Sequence, residues 1–229
     1  PFLAVIWFGN PHGPHIGVDK FLAPYSKESK AMQNFYAEIT GMDAAMGELR
    51  KGLRDINKHE ETLLWYTSDN GGLKPNSMGG LSGKKGNLLE GGIRVPAILE
   101  WPARIPEPRT SSAPCNASDF YPTLLELAGL SLPKGQPPLD GISLVPLIEG
   151  KTDIRKKAMG FWDFPAPGRS RRGRTMLEAL RKEQQAGEVK PAPKEGHVEK
   201  QYSTKSFPGP AAWIDGVGKL LHGKGTPKL

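Results

Sequence analysis

Cysteine is almost absent from this 229-residue chain, with Cys115 standing alone. A single thiol excludes a disulfide scaffold and a cysteine-based zinc site. Long apolar runs are missing too, and nothing approaches the roughly 18 uninterrupted apolar residues that a membrane-spanning helix needs. The first residue is Pro1, not methionine, and no charged region precedes the apolar stretch from Phe2 to Phe8. That stretch reads as a buried strand and not as a signal peptide, so the chain is expected to begin mid-domain. The sequence then says nothing of compartment. What is present is 37% hydrophobic residues, enough for a core and too much for disorder throughout. With 28 glycines and 22 prolines the chain is rich in loops.

Charge is unevenly spread over a formal net +7. Residues 1–150 carry 14 Lys and Arg against 16 Asp and Glu, while residues 151–229 carry 17 against 8. A basic segment can attract nucleic acid, an anionic polysaccharide or an anionic membrane, or it can be a solvated insertion.

Strand and helix signals alternate through the first two-thirds. Met32, Phe35, Tyr36, Ile39, Met42, Met46, Leu49 and Leu53 recur at helical spacing and predict an amphipathic helix over 29–56. The run from Thr62 to Thr67 predicts a buried strand, and Ile93 to Trp101 a third, interrupted by Pro96. Residues 119–128 read as a helix capped by Ser118 or Asp119 and stopped by Gly129. Such alternation argues for a mostly parallel sheet covered on both faces. Beyond Gly150 the texture changes: residues 164–210 are rich in Pro, Gly, Arg and Lys, with only Thr175 to Gln185 helical in pattern. A terminal hairpin around 216–218, pairing Ala211–Ile214 with Lys219–Leu221, is the last expected element.

In open α/β sheets ligands bind beyond the carboxyl ends of strands. The first expected strand runs into Asn10-Pro11-His12-Gly13-Pro14-His15, and the second into Asp69-Asn70-Gly71-Gly72. A glycine-rich loop with Lys84 and Lys85 follows, then Glu90-Gly91-Gly92-Ile93-Arg94. Singly these are ordinary turn and loop sequences. Together they offer hard oxygen ligands, an imidazole and an ammonium, a set suited to a divalent cation and a tetrahedral oxyanion.

In order and spacing, PFLAVIWFGNPHGPH, FYAEITGMDAAMGEL, YTSDNGG, GKKGNLLEGGIRVPAILEWP and SDFYPTLLELAG resemble the type I sulfatases of the alkaline phosphatase superfamily. The segments DGISLVPLIEG, MGFWDFP and WIDGVGKLL look like that family's small C-terminal subdomain. The resemblance implies an alkaline-phosphatase-like α/β fold, incomplete at its N-terminus. Residues 1–150 would be the C-terminal part of the catalytic domain. Residues 151–229 would be a partial C-terminal α+β subdomain with a basic insertion at about 165–210.

Residue by residue, the resemblance implies that Asp69 and Asn70 complete a calcium (Ca2+) shell. It also implies that Lys85 contacts the sulfate, with Lys84 the off-by-one alternative. His12 would bind the sulfate and help protonate the departing alcohol oxygen. His15 would be scaffold or substrate rim. Asp43, Glu90, Arg94 and Asp119 would pair or cap, and Gly91 and Gly92 would let backbone turn close to the site. Trp162 and Asp163 would line the substrate entrance, or Trp162 would instead pack in the core, the reading preferred for it. The family's nucleophile is a formylglycine made from a C/S-x-P-x-R motif. Nothing here matches it, because Cys115 sits in PCNASDF and reads as a buried or half-buried structural thiol.

The expected function is therefore sulfuric ester hydrolysis, with the nucleophile and the remaining metal ligands upstream of this chain. Alone, the chain should be inactive and poorly soluble. The expected partner is a sulfated small molecule or carbohydrate, with no nucleic acid and no membrane span. By family habit the enzyme would be periplasmic or secreted, or lysosomal in an animal. Two other readings stand beside this one. Phosphonate monoester or phosphodiester hydrolases of the superfamily tend to carry histidine where this chain has Asn70. A non-catalytic relative would hold an anionic polymer through Arg169–Lys205.

Overall fold

The computed structural model describes residues 2–74, 77–162 and 210–222. The basic segment 169–205, the expected helix at 175–185 and Asp163 lie outside the described residues. The described part divides into two compact units, the first Pro1–Leu64 with Leu99–Pro106 and the second Trp65–Ile98 with Glu107–Leu229.

The first unit is built on its long helix. α1 (Asp19–Leu22) leads through a 3-10 turn into α2 (Lys30–Asp55), a 26-residue helix about 39 Å long. Ser29 caps α2 by accepting from the Met32 amide. The apolar stripe read from the sequence is the face α2 turns inward, for none of its eight residues is exposed and Phe35 is buried. Glu38 is buried on the same helix and has partners there: its carboxylate accepts from the Ile16 amide at 2.8 Å and from the His15 ring at 2.7 Å. Asn34 accepts from the Gly17 amide, so α2 holds the stretch 15–17 through two polar side chains.

The stretch from Phe2 to Phe8 differs from expectation. It is irregular and exposed, with Phe2 at 79% and Trp7 at 90% relative exposure. A strand exists only as part of a ladder, and among the described residues no strand pairs with this one. Apolarity on both faces suits it to a sheet centre but does not supply neighbours.

β1 (Leu64–Thr67) and β2 (Ala97–Glu100) form a two-stranded sheet. Of the expected mostly parallel sheet, this pair is what the described residues contain. The segment read as one strand over 93–101 is divided: α3 (Glu90–Ile93) is a helical turn, and β2 begins only after Pro96, whose missing N–H and fixed φ suit a strand's edge.

In the second unit, α4 (Phe120–Leu127) follows a 3-10 turn capped by Asn116; Asp119, one of the two caps expected, is the N-cap residue of α4, though its side chain makes no cap bond to that helix. Asn116 and Asp119 form a reciprocal capping box, and Gly129 at φ +66° ends the helix. Asp119 does more than cap, because its fully buried carboxylate takes a two-point ion pair from Arg155 at 2.7 and 3.0 Å and a bond from the Ile142 amide. α5 (Val145–Ile148) supplies Val145, Leu147 and Ile148 to this core, and the Arg109 guanidinium caps its last carbonyls. Met159 and Ala212 continue the core onto an antiparallel sheet of β3 (Met159–Trp162), β4 (Ala211–Asp215) and β5 (Gly218–His222). The terminal hairpin expected from the sequence is β4–β5, in the register Ala212↔Leu221 and Ile214↔Lys219. Trp162 is not core, since it is 46% exposed, as is Trp213 at 48%. Both stand on the sheet face opposite Met159 and Ala212.

Candidate functional site

β1 ends in Thr67, whose hydroxyl donates to the Pro96 carbonyl, and the chain turns at once through Ser68-Asp69-Asn70-Gly71-Gly72. Ser68 Oγ donates to the Asn70 carbonyl (3.1 Å), which closes the turn around Asp69. Asp69 is exposed and Asn70 half-buried at this strand end.

Backbone bonds tie the loop after it to this turn and to α3. The Gly71 amide donates to the Gly92 carbonyl (2.9 Å), the Lys85 amide to the Gly72 carbonyl (3.0 Å), and the Gly91 amide to the Ser82 carbonyl (2.7 Å). A Cβ on Gly71 would lie 1.9 Å from the Gly91 carbonyl oxygen. On Gly91 it would meet the Gly83 carbonyl at 2.4 Å, and on Gly92 the Asn87 carbonyl at 2.1 Å. Three strips of main chain therefore touch where no side chain fits, which is why this sequence needs Gly71, Gly91 and Gly92 here. Gly91 and Gly92 thus bring their backbone against the loops that carry Gly71 and Lys84.

Lys84 and Lys85 sit on the middle strip. Asn87 and Lys84 close a local turn, with the Lys84 amide donating to the Asn87 side chain (3.2 Å) and the Asn87 amide to the Lys84 carbonyl (2.9 Å). Lys84 is exposed, whereas Lys85 is half-buried and is the one whose backbone is bonded to the Asp69–Gly72 turn. The structure thus brings Asp69, Asn70 and Lys85 onto adjoining loops of one unit.

The donors at 69 and 70 fit calcium in kind. A carboxylate and an amide oxygen are hard ligands, but two donors fall short of the six to eight that calcium takes. Among the described residues no cluster of three or more His, Cys, Asp or Glu side chains supplies the remainder.

His12 lies in the other unit. It is exposed, its amide donates to the Gly9 carbonyl (3.0 Å), and its Nδ1 donates to the Gly13 carbonyl (2.9 Å), which makes Nε2 the basic nitrogen of the ring. His15 is scaffold, held by Glu38 and edge-on to Phe35 at 5.2 Å. Asp43 is exposed in the middle of α2, where it caps nothing.

Cys115 departs from expectation: the residue is exposed and donates only to the Ala113 carbonyl. Partial desolvation of the sulfur and the Asp119 carboxylate push its pKa up, against an opposing pull from Arg155. A raised thiol pKa means less thiolate at neutral pH, so this is not an activated nucleophile.

Sequence reasoning missed two partners. Arg155 gave no local signal, since its role depends on a carboxylate 36 residues away. Lys219 did carry one: in Gly218–His222 the alternation of exposed and half-buried residues puts Lys219 and Leu221 on one face, where a lysine needs an anion. That anion is Glu90, 2.6 Å away.

Comparison with known proteins places this arrangement. The model of the sulfatase family matches residues 1–130, and that of the N-sulphoglucosamine sulphohydrolase C-terminal region matches residues 83–180. Steryl-sulfatase of Mus musculus is 32% identical over 161 residues, covering 66% of this chain and 25% of its own. A sulfatase of Formosa agariphila is 32% identical over 185 residues, covering 72% of this chain and 33% of its own. The chain therefore spans a quarter to a third of the length of these relatives. Among solved structures, Ps i-CgsB is 30% identical with a TM-score of 0.61 over 67% of this chain and 35% of that one. Its complex with k-i-k-neocarrahexaose aligns over 96% of this chain and 41% of that one, at a TM-score of 0.69 and 23% identity. The alkaline-phosphatase-like α/β fold expected from the motifs is the fold of these neighbours. With the family model matched over more than half of its residues, the chain belongs to the sulfatase family.

Proposed function

We propose that the protein hydrolyses sulfate esters and that this chain contributes two metal ligands, Asp69 and Asn70, and two sulfate contacts, Lys85 and His12. The observation that carries the reading is the glycine-packed junction. It bonds the Lys85 backbone to the turn that bears Asp69 and Asn70, so that an ammonium and two hard oxygens share one rigid support. Membership of the sulfatase family supports it.

Bound at Asp69 and Asn70, calcium would supply charge neutralisation to the sulfate oxygens. The nucleophile expected for the family is a formylglycine hydroxyl from a residue upstream of this chain. Lys85 offers a positive donor to the sulfate group as charge shifts onto the leaving oxygen, and its half-buried position strengthens that attraction over an exposed one. His12 enters this reading through the family resemblance alone and would supply a ring N–H to the departing oxygen. A neutral amide at position 70 adds no second negative charge and so suits calcium and a singly charged ester. The substrate class is a sulfated carbohydrate or small molecule, a reading supported by the oligosaccharide complex of the structural neighbour.

The test is release of sulfate from an aryl sulfate by the intact protein, before and after chelation. Chelation abolishes turnover and added calcium restores it. Asp69→Ala lowers kcat/KM by about 100-fold or more, Lys85→Ala lowers it comparably, and Lys84→Ala leaves it within a few-fold. Preference for a phosphonate ester over the sulfate ester, or activity indifferent to Asp69→Ala, overturns the reading.

A further inference from the structure

We propose that Lys219 is a positioning residue for the candidate site, acting through Glu90 to hold the terminal hairpin against the helical turn on which the Asp69 and Lys85 loops rest. The proposal rests on the reading of those loops as sulfate-ester machinery and adds to them a residue from the other end of the unit, 129 positions from its partner.

Lys219 stands on the half-buried face of β5, opposite Ile214 in the ladder and on the same side as Leu221, while its neighbours Gly218 and Leu220 are exposed. An ammonium on such a face needs a partner, because its desolvation is otherwise uncompensated. Glu90 Oε1 provides it at 2.6 Å, with the lysine side chain 18% exposed and the glutamate 38%. Arg94 also approaches Glu90, but at 3.8 Å and 70% exposed, a geometry that solvent and salt screen.

Glu90 opens α3, which is only four residues long. So short a helix has too few internal bonds to hold itself, and its position is set by what it touches. Two of those contacts are backbone bonds, Gly91 to the Ser82 carbonyl and the Gly92 carbonyl to the Gly71 amide. The side-chain contact is Glu90 with Lys219. Because Gly91 and Gly92 press main chain directly on the loops of Lys84 and Gly71, no flexible side chain lies between to absorb a shift. Movement of α3 is passed on to the turn of Asp69 and to the Lys85 backbone.

The experiment compares Lys219→Met, Lys219→Arg and the double variant Glu90→Gln/Lys219→Met in the intact protein. It reads aryl sulfate kinetics and amide hydrogen exchange at Gly71, Lys85 and Gly91. Lys219→Met is expected to raise KM about tenfold with a smaller change in kcat, and to speed exchange at those amides more than in the core around Leu144. Lys219→Arg restores both, and the double variant does not. Three results overturn the proposal: unchanged KM and exchange in Lys219→Met, faster exchange spread uniformly over the unit, or recovery in the double variant, which would reduce the pair to charge cancellation. If the wild-type protein hydrolyses no sulfate ester, the functional reading fails by itself, and the exchange data still decide whether Lys219 holds the loops.

Discussion

The two ends of the described chain invert what their sequences promise. The stretch from Phe2 to Phe8 is apolar at every position yet pairs with no strand among the described residues, whereas 211–222, with Asp215, Lys219, His222 and three glycines or alanines in its strands, forms two strands of a sheet. The difference lies in neighbours. The hairpin has β3 beside it, a tight turn at Gly216 (φ +56°) and a face that buries its own Ala212, the face on which β3 buries Met159. The N-terminal run has composition alone. Strand formation is a property of the ladder before it is a property of the segment.

That contrast is most sharply broken at Arg155. Its guanidinium is 1% exposed and pairs with a fully buried carboxylate next to the chain entering β3. Arg155→Met strands the Asp119 charge in the interior and is expected to cost about 3–5 kcal/mol in urea unfolding. A loss below about 1 kcal/mol would mean that the hairpin region does not depend on this pair. Met159→Ala probes the same core without charge. The residue is 4% exposed, and its truncation is expected to cost about 2–4 kcal/mol by the same measurement.

At the other end, Trp7→Ala is expected to change the stability of the 229-residue chain by no more than about 0.5 kcal/mol, since the ring is 90% exposed. Repeating it in any longer protein that contains this chain sharpens the comparison. A cost of about 3–5 kcal/mol there would show that further chain covers Trp7 and turns the run into the strand its pattern describes.

What the sequence made legible follows the same division. α2 was readable because its stripe repeats at 3.6 and its cap, Ser29, is local. The loops of Asp69 and Lys85 were readable only as a set and through the family resemblance, since singly their glycines read as ordinary turns; the close approach of main chain that requires Gly71, Gly91 and Gly92 is seen in the structure. Unreadable were the partners across the fold: alternation turns Lys219 inward but does not name Glu90, and nothing local points Arg155 to Asp119. Trp162 misled for a related reason: an aromatic in a strand has two faces to choose from, and the choice is fixed by register with Ala211, which the sequence does not state.

The smallest expected effect is a titration at Cys115, and it ties the thiol to the buried pair. The folded-state pKa of this thiol stands above its ordinary value, chiefly from desolvation and then from the Asp119 carboxylate, with Arg155 pulling the other way. The fold thus favours the protonated thiol. Its contribution to stability is complete below the unfolded-state pKa, about 8.5, and is lost as pH rises through the higher folded value. Alkylation by iodoacetamide at pH 8 should be slower than for a free thiol of ordinary pKa even though the residue is exposed, because less of it is thiolate. The unfolding free energy should fall as pH rises through that window, and Cys115→Ser should remove the slope. Arg155→Met takes away the opposing influence and should move the alkylation midpoint to still higher pH. A downward movement in that variant would show that Asp119 no longer lies charged beside the thiol once its partner is gone.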